Sequence, residues 1–212
     1  MTGSPNPQRV TLAPNKFLSP AQETQLLDYV REKADAARMC GGKRAVFSEF
    51  LTVLLLRAGL HAQDACALNL EDLPTAHGKD FILVHDSKPP RPVQIPHELV
   101  EHIRRFVETF RNRAGPGDPL LLSERGEQRL HPTSVYQRIR DLGRAAKLKF
   151  HLSPQTLRHT YALNLYRETK NLSLVQERLG HMNVRTTAIY VRTLAKIASD
   201  QINPMDRVTV EG

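Results

Sequence analysis

LSPQTLRHTYALNLYRETKNLSLVQERLGHMNVRTTAIY, residues 152–190, is punctuated like three consecutive helices. Ser153 is a good N-cap and Pro154 suits a first helical turn, which places Gln155 and Arg158 one turn apart on the helix that follows. Leu157, Tyr161 and Leu165 form an apolar stripe, so Arg158 is expected to reach solvent beside a positive helix end, a good position for a phosphate. Ser173 and Gln176 make a capping-box pattern for a second helix. Gly180 fits the left-handed residue that stops it, leaving His181 as the first residue beyond. Thr186-Thr187 can start a third helix, with Tyr190 about one turn in. Each residue alone has an ordinary reading: a solvated arginine, a structural histidine, a half-buried tyrosine.

The rest of the chain is predominantly helical in pattern. Ser19 caps and Pro20 opens a helix to about Ala37, and after Gly41-Gly42 the residues Phe47, Phe50, Leu51, Leu54 and Leu55 mark a buried helix stopped by Gly59. Gln63–Leu68, His97–Phe110 and Pro132–Lys147 read as further helices, and Leu194–Ile202 as a short one after Tyr190. Phe81–His85 and Arg91–Ile95 are β-prone runs on either side of Asp-Ser-Lys-Pro-Pro, an antiparallel hairpin with Lys88 in its turn. The expected fold is a mainly α-helical α+β domain with a small antiparallel β-sheet. Residues 1–18, with three prolines, read as an extended or disordered arm; 19–203 form the domain and 204–212 a tail.

The charge is unevenly placed. The net charge is +8, and between Arg125 and Arg192 there are 13 Lys or Arg against 4 Asp or Glu, so this third carries the whole excess. Such a concentration is the expected footprint of a phosphate backbone, and double-stranded DNA is the expected partner. Two cysteines, Cys40 and Cys66, without a CxxC pair, suggest neither a disulfide framework nor a structural zinc site, and fit a reducing compartment. The longest apolar stretch, within Phe50–Leu60, is broken by Arg57 and is too short to span a bilayer, and MTGSPNPQRV has no apolar signal core. A cytoplasmic, nucleoid-associated protein without membrane contact is the expectation.

Leu157-Arg158-His159-Thr160, Leu179-Gly180-His181 and Thr186-Thr187-Ala188-Ile189-Tyr190 together resemble, in order and spacing, the C-terminal signature of the tyrosine recombinase (phage integrase) family. Ala58-Gly59-Leu60-His61, followed by Asp64, Leu68 and Asp72, resembles the segment where that family carries its first catalytic arginine. Lys88 with Arg91 and Val93 resembles the family's β-hairpin lysine region, and Leu18-Ser19-Pro20 its usual catalytic-domain start, so the likeness runs over about residues 17–195. The resemblance implies DNA recombination or integration by phosphoryl transfer, as in phages and mobile elements, without metal or nucleotide cofactor. Tyr190, whose phenol needs activation from its usual pKa of about 10, would form a 3′-phosphotyrosine link. Arg158 and His181 would hold the non-bridging oxygens, and Lys88 would protonate the departing 5′-oxygen. Arg57, Arg91, His159 and Arg185 are the further candidates for DNA contact. A homo-tetramer on DNA through the C-terminal helix is also implied.

Two positions depart from the family pattern. His61 stands where the first arginine is usual, and Gln155 where the His-x-x-Arg element begins. Arginine offers a permanent bidentate fork, and losing one preorganised donor costs about 100- to 1000-fold in rate. Two readings therefore stand: a strand-transferring enzyme, attenuated by these changes, or a catalytically impaired DNA-binding accessory protein with the same fold. A helix-turn-helix regulator is a third, but has no use for Tyr190. The family commonly has an N-terminal helical domain that clamps the far side of the DNA. Residues 1–18 leave three alternatives: an excised fragment, a single-domain member, or a chain whose partner recombinase supplies that half.

Overall fold

The computed structural model describes residues 11–85, 90–124, 128–180 and 184–202, and within them all side chains but those of His77, Val184, Arg185, Gln201 and Ile202. Residues 1–10, Lys88, His181 and everything from 203 onward, including the expected tail, lie outside the described residues, as does the side chain of Arg185.

Helix α1 (Pro20–Met39) begins as its punctuation requires. The Gln22 amide N–H donates to the Ser19 hydroxyl at 3.4 Å, and the Ser19 N–H donates to the Gln22 side chain at 2.9 Å. After a turn at Gly41-Gly42, α2 (Lys43–Ala58) is buried on most of its circumference, which explains why its apolar residues run together rather than in a stripe. It stops at Gly59, in the left-handed conformation at φ 62°. Short helices α3 (Ala62–Ala67) and α4 (Pro74–His77) lead into strands β1 (Phe81–Val84) and β2 (Arg91–Gln94). The strands pair antiparallel, Phe81 opposite Gln94 and Val84 opposite Arg91, with Ile82, Val84 and Val93 facing the core. Then follow α5 (His97–Phe110), α6 (Pro132–Ala145), α7 (Pro154–Thr169), α8 (Leu172–Leu179) and α9 (Val184–Ile202).

Apolar faces of α1, α2, α5, α6 and the hairpin meet in one main core. A smaller cluster of Phe17, Ala162, Leu163, Val175, Leu179 and Tyr190 joins α7, α8 and α9. Helix α7 touches both cores and so fixes the C-terminal helices on the rest of the molecule.

Three expectations need correcting. Residues 11–18 are packed rather than loose: Phe17 and Leu18 are buried, the Leu18 N–H donates to Thr160 Oγ1 at 2.8 Å and the Leu12 N–H to Thr193 Oγ1 at 2.9 Å. The prolines suggested an arm, but three apolar side chains among them have a core to join. The cap of α8 is Asn171, whose Oδ1 accepts from the Leu174 N–H at 3.0 Å, and not Ser173, which lies inside the first turn. Helix α9 starts at Val184, before Thr186-Thr187, and runs unbroken through Leu194, because no glycine or proline interrupts an apolar series that packs on α7.

Candidate active site

The N-terminal half of α7 is where the expected site residues gather. Ser153 caps it, its Oγ accepting from the Thr156 N–H at 3.1 Å, and Pro154 opens it. Thr156, Leu157, Arg158 and Thr160 are all buried, so the stripe that should leave Arg158 in solvent does not exist. Arg158 is 1% exposed, which corrects the expectation of a solvated side chain. Its Nη1 donates to the Gly59 carbonyl and its Nη2 to the Leu179 carbonyl, both at 2.6 Å. These oxygens stand at the C-terminal ends of α2 and α8, where carbonyls lack an intrahelical donor and helix dipoles leave partial negative charge. Two helix ends therefore draw the guanidinium inward.

Tyr190, on α9, is buried, and its hydroxyl lies 3.0 Å from Nδ1 of His159. Burial pushes its phenol up to about 12, against the opposing pull of the Arg158 charge. On the other side of the imidazole, His159 Nε2 lies 3.3 Å from the amide of Gln155, one turn back on α7. Gln155 thus faces His159, four residues on, rather than Arg158. Gln155 is exposed, His159 intermediate and Tyr190 buried, so the three side chains make a line from solvent to the phenol.

The C-terminal end of α8 is held from two sides. Arg91, from β2, donates through Nη1 to the Arg178 carbonyl at 3.0 Å, next to the Leu179 carbonyl bound by Arg158. Gly180 takes φ 67°, a conformation that favours glycine, and a Cβ there would stand 2.5 Å from Arg91 Nε and push the guanidinium aside. His61 caps α3, exposed, two residues beyond the carbonyl that Arg158 holds; its own N–H donates to Asp64 Oδ2 at 3.4 Å. Arg57 is turned elsewhere: its Nη1 pairs with Glu23 at 3.1 Å, and Glu23 also accepts from Asn164 Nδ2 at 2.8 Å. Gly59 lies against the Tyr161 ring, 2.2 Å from where a Cβ would sit.

Residues 16–196 match the model of the phage integrase family. The chain belongs to that family. Among curated relatives of this chain, a tyrosine recombinase of Pseudothermotoga lettingae is 30% identical over 152 residues, covering 72% of this chain and 51% of the relative. Tyrosine recombinase XerA of Pyrococcus furiosus is 29% identical over 158 residues, covering 73% and 53%. The chain thus spans about half the length of the curated relatives it matches. Its fold is that of tyrosine recombinase catalytic domains: a crystal structure of XerA recombinase superposes with a TM-score of 0.71 at 22% identity, covering 91% of this chain and 66% of that one. XerH recombinase bound to its difH substrate gives 0.69 at 21% identity, over 89% and 53%.

Of the expected site residues, the fold brings Arg158, Tyr190, His159 and Gln155 together, with His61 two residues beyond the carbonyl held by Arg158 and Arg57 paired away with Glu23. Among the described residues no group of His, Cys, Asp and Glu could hold a metal ion, and no helix is long and apolar enough to cross a membrane. Sequence reasoning offered His159 only as a DNA contact and missed it as the partner of Tyr190. The one available signal was its position four residues after Gln155, on the same helical face.

Proposed function

We propose that this domain cleaves and rejoins duplex DNA through a covalent bond between Tyr190 and a 3′-phosphate. The observation that carries this reading is the contact of Tyr190, on α9, with His159 of α7, next in sequence to Arg158, whose guanidinium two helix ends fix and whose charge acts on the phenol. In the step proposed, the Tyr190 oxygen attacks the phosphorus, the bond to the 5′-oxygen breaks, and that oxygen takes a proton from Lys88. Arg158 and His181 offset charge on the non-bridging oxygens. A 5′-hydroxyl from a second DNA end then reverses the step, so no outside energy source is needed.

DNA as substrate is supported by the basic C-terminal third and by relatives solved with DNA, among them XerH on difH and a Tn1549 transposon integrase with transposon right-end DNA. Exposed Arg144, Lys147 and Lys149, on the approach to the N-terminus of α7, offer phosphate contacts beside the site. Arg91 acts through the end of α8, whose Arg178 carbonyl it holds. Assembly as a homo-tetramer on DNA, held by the helix that carries Tyr190, and a reducing cytoplasmic setting belong to the same proposal.

A second reading, DNA binding without cleavage, is favoured by His61 and Gln155, which replace an arginine and a histidine of the family pattern. A nicked suicide substrate separates the two. The enzyme forms a denaturation-resistant protein–DNA adduct that Tyr190→Phe abolishes. Equally little adduct from both proteins, across many DNA sites that both bind, would refute strand transfer and leave the accessory role.

A further inference from the structure

We propose that His159 is a catalytic residue that takes the phenolic proton of Tyr190, with Gln155 positioning its imidazole. The proposal rests on the reading of Tyr190 as nucleophile and names the group that activates it.

A phenol held up to about 12 by burial keeps its proton at neutral pH, and a neutral phenol is a poor nucleophile toward phosphorus. The Arg158 charge acts in the helpful direction but does not overcome the burial. The proton therefore needs an acceptor as the oxygen attacks, within hydrogen-bond reach of it. His159 Nδ1, at 3.0 Å, meets that condition, and imidazole is the side chain that exchanges a proton near neutral pH. Its ring is tilted 56° to the tyrosine ring with centroids 5.8 Å apart, a geometry that aims a nitrogen at the hydroxyl rather than stacking the faces.

The opposite ring nitrogen decides whether Nδ1 can accept. With the Gln155 amide nitrogen toward His159 Nε2, at 3.3 Å, the imidazole proton sits on Nδ1 and the ring donates to the phenol oxygen. A half-turn of that exposed amide puts its oxygen there instead: Nε2–H then donates to Gln155 and Nδ1 accepts from Tyr190. The second arrangement is the reactive one. As the bond from Tyr190 Oη to phosphorus forms and the bond from phosphorus to the 5′-oxygen breaks, the phenolic proton passes to Nδ1. The resulting imidazolium keeps its Nε2–H on the Gln155 carbonyl. The 5′-oxygen takes its proton separately, from Lys88 as proposed above. When the second 5′-hydroxyl attacks, it gives its proton back to Lys88 and His159 returns its own to the departing tyrosine. Glutamine at 155 is then no mere loss of a histidine, since it has an oxygen to offer the imidazolium, which a second protonated ring lacks.

The test measures adduct formation on the suicide substrate in single turnover, with duplex binding measured in parallel. His159→Ala is expected to slow adduct formation about 100- to 10,000-fold with little change in DNA affinity, and added imidazole to restore at least a tenth of the lost rate. Gln155→Glu, which keeps an acceptor toward Nε2, retains activity, whereas Gln155→Leu loses it. Nitrogen-15 NMR of the wild-type chain gives an arm that needs neither turnover nor a variant that folds. An unprotonated Nδ1 whose shift moves in Tyr190→Phe supports the proposal, and a proton resident on Nδ1 at neutral pH overturns it. Wild-type adduct with an equally fast His159→Ala, or a slow variant that imidazole does not rescue, sinks the role of His159 alone. A silent wild type sinks the strand-transfer reading and this proposal with it.

Discussion

Replacing Arg158 with lysine keeps the charge and removes the fork, and its cost follows from two distances. The guanidinium donates to Gly59 and Leu179 carbonyls at 2.6 Å each, in a place where the side chain is 1% exposed. A hydrogen bond from a charged group contributes about 1.5–3 kcal/mol net. One ammonium reaches one of the two carbonyls, so Arg158→Lys is expected to lose about 1.5–3 kcal/mol. Arg158→Met fills similar space without donors and leaves both helix-end carbonyls short, for a loss of about 3–6 kcal/mol. That approaches the whole stability of an ordinary domain, about 5–15 kcal/mol. Urea unfolding at pH 7 reads these losses: with a slope near 2 kcal/mol per molar, the lysine variant's midpoint falls by about 0.75–1.5 M and the methionine variant's by about twice that. Midpoints for both variants within about 0.3 M of wild type, at an unchanged slope, would show that the helix ends do not depend on Arg158.

Gly59→Ala combines the cost of a non-glycine at φ 62° with a Cβ 2.2 Å from Tyr161, while Gly78→Ala, at φ 68°, meets nothing within 4 Å. The first is expected to lose about 2–4 kcal/mol and the second about 1–2 in the same urea assay, and equal losses would contradict close packing at Gly59. The Tyr190 phenol, raised by burial to about 12, keeps its proton in the folded state while the unfolded chain's ionises from about 10. Its contribution is therefore full below pH 10 and lost as pH rises toward 12, so wild type should lose roughly 2–3 kcal/mol more than Tyr190→Phe over that range. Parallel alkaline unfolding curves for the two proteins would count against the buried phenol. Changing Arg144, Lys147 and Lys149 together to glutamine should reduce the slope of log affinity for duplex DNA against log salt by about 2–3, and an unaltered slope would remove that rim from the interface.

What could be read from the chain alone was mostly what short-range chemistry determines. Ser19-Pro20 and Ser153-Pro154 announce helix starts, and Gly59 and Gly180 announce stops, because caps and left-handed turns depend on a few adjacent residues. The strand runs were readable from β-branched residues and a proline-containing turn. The direction of Arg158 was not readable. Periodicity presumes one wet face, and the first half of α7 has almost none, being covered by α2, α8, α9 and the packed segment 11–18. The same segment escaped notice because its prolines spoke louder than Leu12, Phe17 and Leu18. The contact of His159 with Tyr190 bridges 31 residues and depends on how α9 crosses α7, so no local pattern contains it.

Arg158 joins the architecture of the site to its chemistry, which limits what its substitution can reveal. The same guanidinium ties the ends of α2 and α8 and eases the ionisation of Tyr190. A variant there loses structure and electrostatics together, and its inactivity cannot assign a role in the reaction. Tyr190, His159 and Gln155 lie further along the same path with fewer structural duties. His159 is only partly buried, Gln155 is exposed, and the phenylalanine ring can fill the place of Tyr190 in the small core. Coupling between substitutions at these three positions, measured on adduct formation in proteins of matched stability, therefore separates activation of the nucleophile from maintenance of the fold. If the three act as a unit, His159→Ala and Gln155→Leu combined should cost little more than His159→Ala alone, whereas independent effects should multiply.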